Sequence, residues 1–154
     1  MSLLTPRAPF SYRDDPAVPA FDDAGPIVFM DAECALCSTA ARTIARLDRK
    51  EELRICPVQT DLGRAIAVHY GLDPNQQDTW LYLDGGRAWA ASEAVIRAGG
   101  RLGGLGRLAF VLRILPRPAR DRLYRRIALN RYRLFGRTDM CAIPDPQLQR
   151  RLMR

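Results

Sequence analysis

The chain reads as α/β: a four-stranded mixed sheet flanked by helices, followed by an arginine-rich helical extension at the C-terminus. Three features lead there. Short apolar runs rich in β-branched and aromatic residues alternate with segments of helical period between residues 25 and 102. An Asp84-Gly85-Gly86 turn ties two of those runs into a hairpin. Beyond Gly103 the pattern becomes helical and strongly basic.

Residues 1–24 scatter prolines and aspartates among few large apolar residues, chiefly Phe10, Tyr12, Val18 and Phe21. No period is visible, so this stretch reads as an extended arm, docked by its aromatics or disordered. Ile27-Val28-Phe29-Met30, bounded by Gly25-Pro26, reads as a buried strand. Leu36, Ala40, Ile44 and Leu47 then recur at helical spacing, and the helix ends near Asp48-Arg49-Lys50. Leu53 to Val58 is a second strand, with Leu53 and Ile55 on one face and Cys56 and Val58 on the other. Pro57 belongs at its end or on a bulge.

Thr60 or Asp61 caps the next helix, Leu62 to Tyr70, and Gly71 stops it. The sole histidine, His69, falls in its last turn, as a C-terminal cation or a surface residue. Residues 73–78 form a polar loop. Thr79 to Leu83 and Arg87 to Ala90 are the hairpin strands. Ser92 and Glu93 open a helix, Ala94 to Ala98, that Gly99-Gly100 closes. The order β-α-β-α-β-β-α predicts a parallel first pair of strands and an antiparallel hairpin, the element order of the thioredoxin fold.

In the last third, residues 103–106 read as a flexible link. Leu108, Val111, Leu112 and Leu115 mark a helix stopped by Pro116 and Pro118. A further helix, begun at Pro118, runs to about Phe135. Its expected packing face is Leu123, Ile127 and Leu134 with Tyr124, Ala128 and Phe135, and its arginines form a solvated basic face. Cys141 sits in a closing loop, and Leu148 to Met153 make an amphipathic tail. The organisation is thus an arm (1–24), a core (25–102) and an extension packed on the core (103–154), one domain overall.

Chemistry concentrates at Asp31-Ala-Glu-Cys34-Ala-Leu-Cys37, where a strand ends and a helix begins. The first amides of a helix lack internal partners and stabilise a thiolate placed among them. Cys34 stands at the helix mouth as the nucleophile, and Cys37 lies one helical step on, placed to resolve a mixed disulfide. A CxxC beside a βα unit reads as a redox pair. Two other readings stand beside it: half a zinc site, or two small thiols filling a core. Asp31 is placed either to accept a proton from Cys37 or to cap the helix. Glu33, beside Cys34, would tune by its charge which substrates approach. Cys56 and Cys141 are buried singly, form a second pair, or complete a zinc site with Cys34 and Cys37.

Four cysteines in 154 residues do not make a disulfide scaffold and fit a reducing compartment. The first residues lack a signal-peptide pattern, and no run of about 18 apolar residues occurs, so the expected location is cytosolic. Charge is uneven. Residues 1–96 hold 9 basic and 14 acidic side chains, whereas residues 97–154 hold 15 arginines and 3 aspartates. Such an end can lie on an anionic membrane or bind nucleic acid, but no nucleic-acid motif or aromatic stacking platform accompanies it.

Asp31-x-x-Cys34-x-x-Cys37 after an apolar strand resembles the signature of the DCC family of thiol-disulfide oxidoreductases, named for those three residues. Ser92-Glu-Ala-Val-Ile is similar to the family's segment after the hairpin. The stretch from Asp121 to Gly136, with Cys141 shortly after, is similar to its C-terminal signature. The resemblance spans about residues 27–144 and implies a thioredoxin-like fold with thiol redox activity. Ordinary thioredoxins carry a cis proline just before the third strand. Here Asp78-Thr79 holds that place, and Thr79 would present its hydroxyl and backbone to the substrate sulfur.

The expectation is an oxidoreductase with Cys34, Cys37 and Asp31 in catalysis and Thr79 and Glu33 toward the substrate. It uses no metal and no bound cofactor, and takes electrons from a thiol donor. Its partner is a protein or small-molecule thiol or disulfide, not a nucleic acid, with peripheral membrane contact through the basic helix. The competing expectation is a non-catalytic module of the same fold whose basic helix binds an acidic partner or an anionic membrane.

Overall fold

The apolar run of residues 27–30 forms β1 (Ile27–Met30), and every one of its residues is buried. That requires cover on both faces of the sheet. Val28 and Met30 enter one core, with Leu53, Ile55 and Tyr82. Ile27 and Phe29 enter the other, with Cys56, Ile66, Leu81 and Leu83. A computed structural model of the chain describes residues 4–76 and 79–154. In it β2 (Arg54–Pro57), β3 (Leu81–Asp84) and β4 (Arg87–Ala90) complete one sheet in the order β2-β1-β3-β4. β1 and β2 are parallel, with Phe29 opposite Cys56; β3 is antiparallel to β1, and β4 to β3. With α1 (Ala35–Leu47), α2 (Asp61–His69) and α3 (Ala91–Leu102) around it, this is a thioredoxin-like α/β fold.

Most local signals act as expected. The Thr60 hydroxyl accepts the Gly63 amide and caps α2, and Pro57 ends β2. Gly85 and Gly86 both take positive φ, 57° and 77°, as a two-residue hairpin requires. The arm docks through its aromatics. Tyr12 is fully buried, and the Phe10 amide donates to the Gly86 carbonyl at 2.9 Å. His69 does lie in the last turn of α2, but it is buried, not a surface residue. The arm folds over it, so that Nδ1 meets Asp15 at 2.7 Å and Nε2 meets Ser11 at 2.9 Å.

Elsewhere tertiary packing overrides the local pattern. The buried stripe of α1 is Cys37, Ser38, Ala41, Ile44 and Ala45, rotated from the expected Leu36-Ala40 line. α3 runs through Gly99-Gly100 and ends at Gly103, whose φ is +66°. The two glycines do not stop the helix; they admit a neighbour. The residues expected to form a flexible link and a helix form a single 3₁₀ segment, Gly104–Ile114, laid against α3. A Cβ at Gly99 would stand 2.5 Å from the Gly106 carbonyl oxygen and 2.6 Å from the Ala109 Cβ. Gly99→Val should therefore destabilise the protein by about 1–3 kcal/mol, because a backbone carbonyl cannot yield cheaply. An unchanged urea midpoint would contradict this packing.

α4 (Arg117–Phe135) begins and ends as its Pro118 and Gly136 suggest, but its buried side is not apolar. Leu123, Ile127, Leu134 and Phe135 are exposed, while Arg120, Asp121, Ala128 and Arg131 are buried. This helix meets the polar start of α3 and the cysteine loop, where buried carboxylates need donors. The tail is not a free amphipathic helix. After α5 (Pro146–Gln149), the Ile55 amide donates to the Arg151 carbonyl at 2.8 Å and the Met153 amide to the Ile55 carbonyl at 2.8 Å, so the chain end covers the β2 edge. Arg151 is buried against Asp48 at 2.8 Å. Among the described residues, no helix is long and apolar enough to cross a membrane.

Candidate active site

Cys34 keeps an extended backbone and is the N-cap of α1, its Sγ accepting the Cys37 amide at 3.4 Å. The cap considered for Asp31 is thus supplied by the sulfur itself. The Trp80 indole Nε1 donates to Cys37 Sγ at 3.4 Å. Burial, with the Cys34 sulfur alongside, pushes the Cys37 thiol up to about 12, against the Trp80 bond and the Arg131 charge. Both thiols are buried, Cys34 with 0% and Cys37 with 4% of its surface exposed. The sequence places Cys34 at an open helix mouth; the structure closes that mouth.

The residues after α4 close it. The Ala35 amide donates to the Gly136 carbonyl at 3.3 Å, the Thr138 amide to the Glu33 carbonyl at 3.0 Å, and the Met140 amide to the Ala32 carbonyl at 2.8 Å. Cys34 and Arg137 form an antiparallel bridge between these bonds. Residues 136–140 are therefore a strap across the cysteine loop. Gly136, at φ +82°, turns the chain out of α4 into it. Met140, its last residue, is fully buried, and the Arg137 guanidinium lies 4.3 Å from the Tyr132 ring centroid and 3.3 Å from Glu33.

Asp31 anchors the loop from below. Its Oδ1 accepts the Glu33 amide at 2.9 Å and the Gln59 side-chain amide at 2.6 Å. Its Oδ2 accepts Arg131 Nη2 at 3.0 Å and the Tyr132 hydroxyl. Burial alone would raise this carboxyl, but the Tyr132, Glu33, Arg131 and Gln59 donors outweigh it and hold it below the usual aspartate range. Arg131 and Tyr132 were not singled out by sequence reasoning, which read the helix's arginines as solvated. The available signal was spacing: Asp121, Tyr124, Ala128 and Arg131 fall three, four and three apart, one continuous stripe of α4.

That stripe gathers the other motifs. The Ser92 hydroxyl donates to Asp121, Arg120 pairs with Glu93 at 3.0 Å, and the Trp80 amide donates to the Tyr124 hydroxyl at 2.8 Å. α4 thereby ties the start of α3, the approach to β3 and the cysteine loop together. Between them lies a cavity of about 240 Å³ whose walls include Cys37, Asp31, Arg131, Thr79 and Trp80 with Leu36, Ala40, Val95 and Ile127. It is mainly apolar, with the Cys37 side of the pair facing it.

Of the residues expected near substrate, Thr79 lines this cavity. Asp78 lies outside the described residues. Glu33 does not line it; it is exposed on the strap side, paired with Arg137. Cys56 faces the opposite core from Cys34 and Cys37, across the sheet, so the four thiols do not converge on one metal. Among the described residues, no three His, Cys, Asp or Glu side chains gather as a metal site. Burial pushes the Cys56 thiol up to about 11, the Thr60 contact opposing it, whereas Cys141 is exposed on the turn Met140–Ala142. Native alkylation at neutral pH should label Cys141 first and leave Cys56 untouched until unfolding. Mass mapping that found Cys56 labelled as fast as Cys141 would contradict this placement.

A family model described as DCC1-like thiol-disulfide oxidoreductase matches residues 28–137, from β1 to the first half of the strap. The chain is 28% identical over 127 residues to the uncharacterized protein YuxK of Bacillus subtilis (strain 168), covering 82% of this chain and 93% of that protein. It is 30% identical over 123 residues to a chloroplastic DCC family protein of Arabidopsis thaliana, covering 79% of this chain and 72% of that one. No solved structure gives a significant match. The matched span holds Asp31, both CxxC thiols and the α4 residues that clasp them, and on this ground the chain belongs to the DCC1-like thiol-disulfide oxidoreductase family.

Proposed function

We propose that the protein is a thiol-disulfide oxidoreductase cycling Cys34 and Cys37 between dithiol and disulfide. The observation that carries this reading is the asymmetry of the pair: Cys34 Sγ takes a helix-terminal amide, while the Cys37 thiol is held protonated by burial. Cys34 Sγ, set at the N-terminus of α1, is the sulfur assigned the attack. Cys34 attacks one sulfur of a substrate disulfide, forming a mixed disulfide and expelling a thiolate that takes a proton from water. Cys37 then attacks Cys34 Sγ, forming the Cys34–Cys37 bond as the mixed disulfide breaks, and its proton passes to the departing substrate sulfur, which leaves as the second thiol. The two electrons come from the cysteine pair, and a thiol donor restores it.

Asp31 serves this cycle as a positioning residue. A carboxylate held in its ionised form by four donors is a poor proton acceptor, but it fixes the loop that presents Cys34. Thr79 and Trp80 line the cavity on the Cys37 side of the pair, and Cys34 is reached when residues 136–140 lift from the loop. The reading is tested by equilibrating the protein, with Cys56→Ser and Cys141→Ser, against graded glutathione buffers. A single two-electron transition carrying one Cys34–Cys37 disulfide is expected. Two thiols that stay reduced throughout the range would dismiss it.

A further inference from the structure

The 3₁₀ segment Gly104–Ile114 presents a feature that thiol exchange does not use. At three residues per turn, side chains three apart stack in straight rows. The row Gly106, Ala109 and Leu112 is half-buried toward α3, where Gly99 admits it. The next row is Leu105, Leu108, Val111 and Ile114. These four stand 70%, 64%, 58% and 81% exposed, a bare aliphatic ridge about 18 Å long. The third row carries Arg107 and Arg113 on either side of Phe110. No residue of the segment is buried, so the ridge contributes nothing to the core.

The stretch of chain that begins with it is cationic, although its own Arg113 is taken by Glu93 at 3.2 Å. Between residues 104 and 137 there are ten arginines and one acid, Asp121, which is buried. Arg107, Arg122, Arg125, Arg126 and Arg133 are exposed and have no carboxylate partner among the described residues. A second copy is a poor occupant, since pairing two such faces sets arginine against arginine. Nucleic acid would use the arginines and leave the aliphatic ridge in water. An interface with aliphatic depth beneath an anionic surface satisfies both.

We infer that the Gly104–Ile114 ridge, with its flanking arginines, docks the protein on an anionic bilayer surface, the aliphatic row entering the acyl boundary and the arginines meeting lipid phosphates. The inference goes beyond the thiol-exchange reading and does not depend on it. Each arginine held near the surface should strengthen partitioning about fivefold.

Sedimentation of the full chain with vesicles tests it. The vesicles are phosphatidylcholine alone or a 3:1 mixture with phosphatidylglycerol (about 25% anionic lipid, enough for the surface attraction). Binding to the mixture at low salt, at least tenfold tighter than to the zwitterionic lipid and weakened by high salt, is expected. The combined change Leu105→Ser, Leu108→Ser, Val111→Ser and Ile114→Ser should lower partitioning at least tenfold. All four side chains are exposed, so the thermal melt should hold. Arg107→Gln should cost about fivefold. The inference is overturned by no binding to anionic vesicles, by equal binding to both lipids, or by an unchanged serine variant. It is equally overturned by a concentration-dependent dimer that the serine variant abolishes, or by duplex DNA that competes fully with the vesicles.

Discussion

Asp31→Asn should destabilise the fold by about 3–5 kcal/mol, because it removes the buried carboxylate charge that faces the Arg131 guanidinium at 3.0 Å. Against a typical total of about 5–15 kcal/mol, that is a large fraction. The same change at Glu33, whose bridge to Arg137 is exposed, should cost less than about 1 kcal/mol. Chemical denaturation of the two variants decides the point. The account fails here if they lose equal stability.

The acid limb of stability follows from the same group. The folded-state pKa of Asp31 is held below that of an unfolded aspartate, so its contribution is complete above the ordinary carboxyl range, about pH 4. It is lost as pH falls from there through the lower folded value. The wild type should shed stability in that window more steeply than Asp31→Asn, which has no carboxyl to protonate. Parallel pH profiles would contradict the burial and pairing described.

Met140→Ala should speed alkylation of Cys34 at least tenfold. Cys34 has no exposed surface, so a reagent reaches it only when the 136–140 strap lifts. Met140, the strap's last residue, is fully buried, and truncating such a side chain costs about 2–5 kcal/mol. Each 1.4 kcal/mol taken from a local opening is about a tenfold rise in the open fraction. Cys56 is the internal control. It sits across the sheet and is reached only by unfolding, so its protection should fall much less. Equal acceleration at both cysteines would mean global unfolding, and the strap would not be the gate.

The sheet was legible in the sequence because its signals are local. The β1 run, the Gly85-Gly86 turn, the Thr60 cap and the split of Leu53 and Ile55 from Cys56 and Val58 each depend on a few neighbours. The CxxC loop was legible for the same reason. What sequence reading missed lies where distant segments meet. Gly99 and Gly100 carry the same local signal whether they end a helix or admit another backbone; only the 3₁₀ segment beside them decides. The exposed leucines of α4 look like a packing face until Asp31, Glu93 and Ser92 draw the arginine and aspartate stripe inward. Nor could residue types alone reveal the strap, since apart from the exposed Arg137–Glu33 pair its bonds to the cysteine loop are backbone.

The most direct test of the central claim is to trap the intermediate. Cys37→Ser, in a background of Cys56→Ser and Cys141→Ser, is incubated with a small aromatic disulfide and the adduct is mapped by mass. The account predicts a stable mixed disulfide on Cys34, one that the same background with Cys37 intact releases as a Cys34–Cys37 disulfide. If Cys34 forms no adduct in the folded protein while the released chain forms one readily, the pair is structural and the exchange mechanism is wrong.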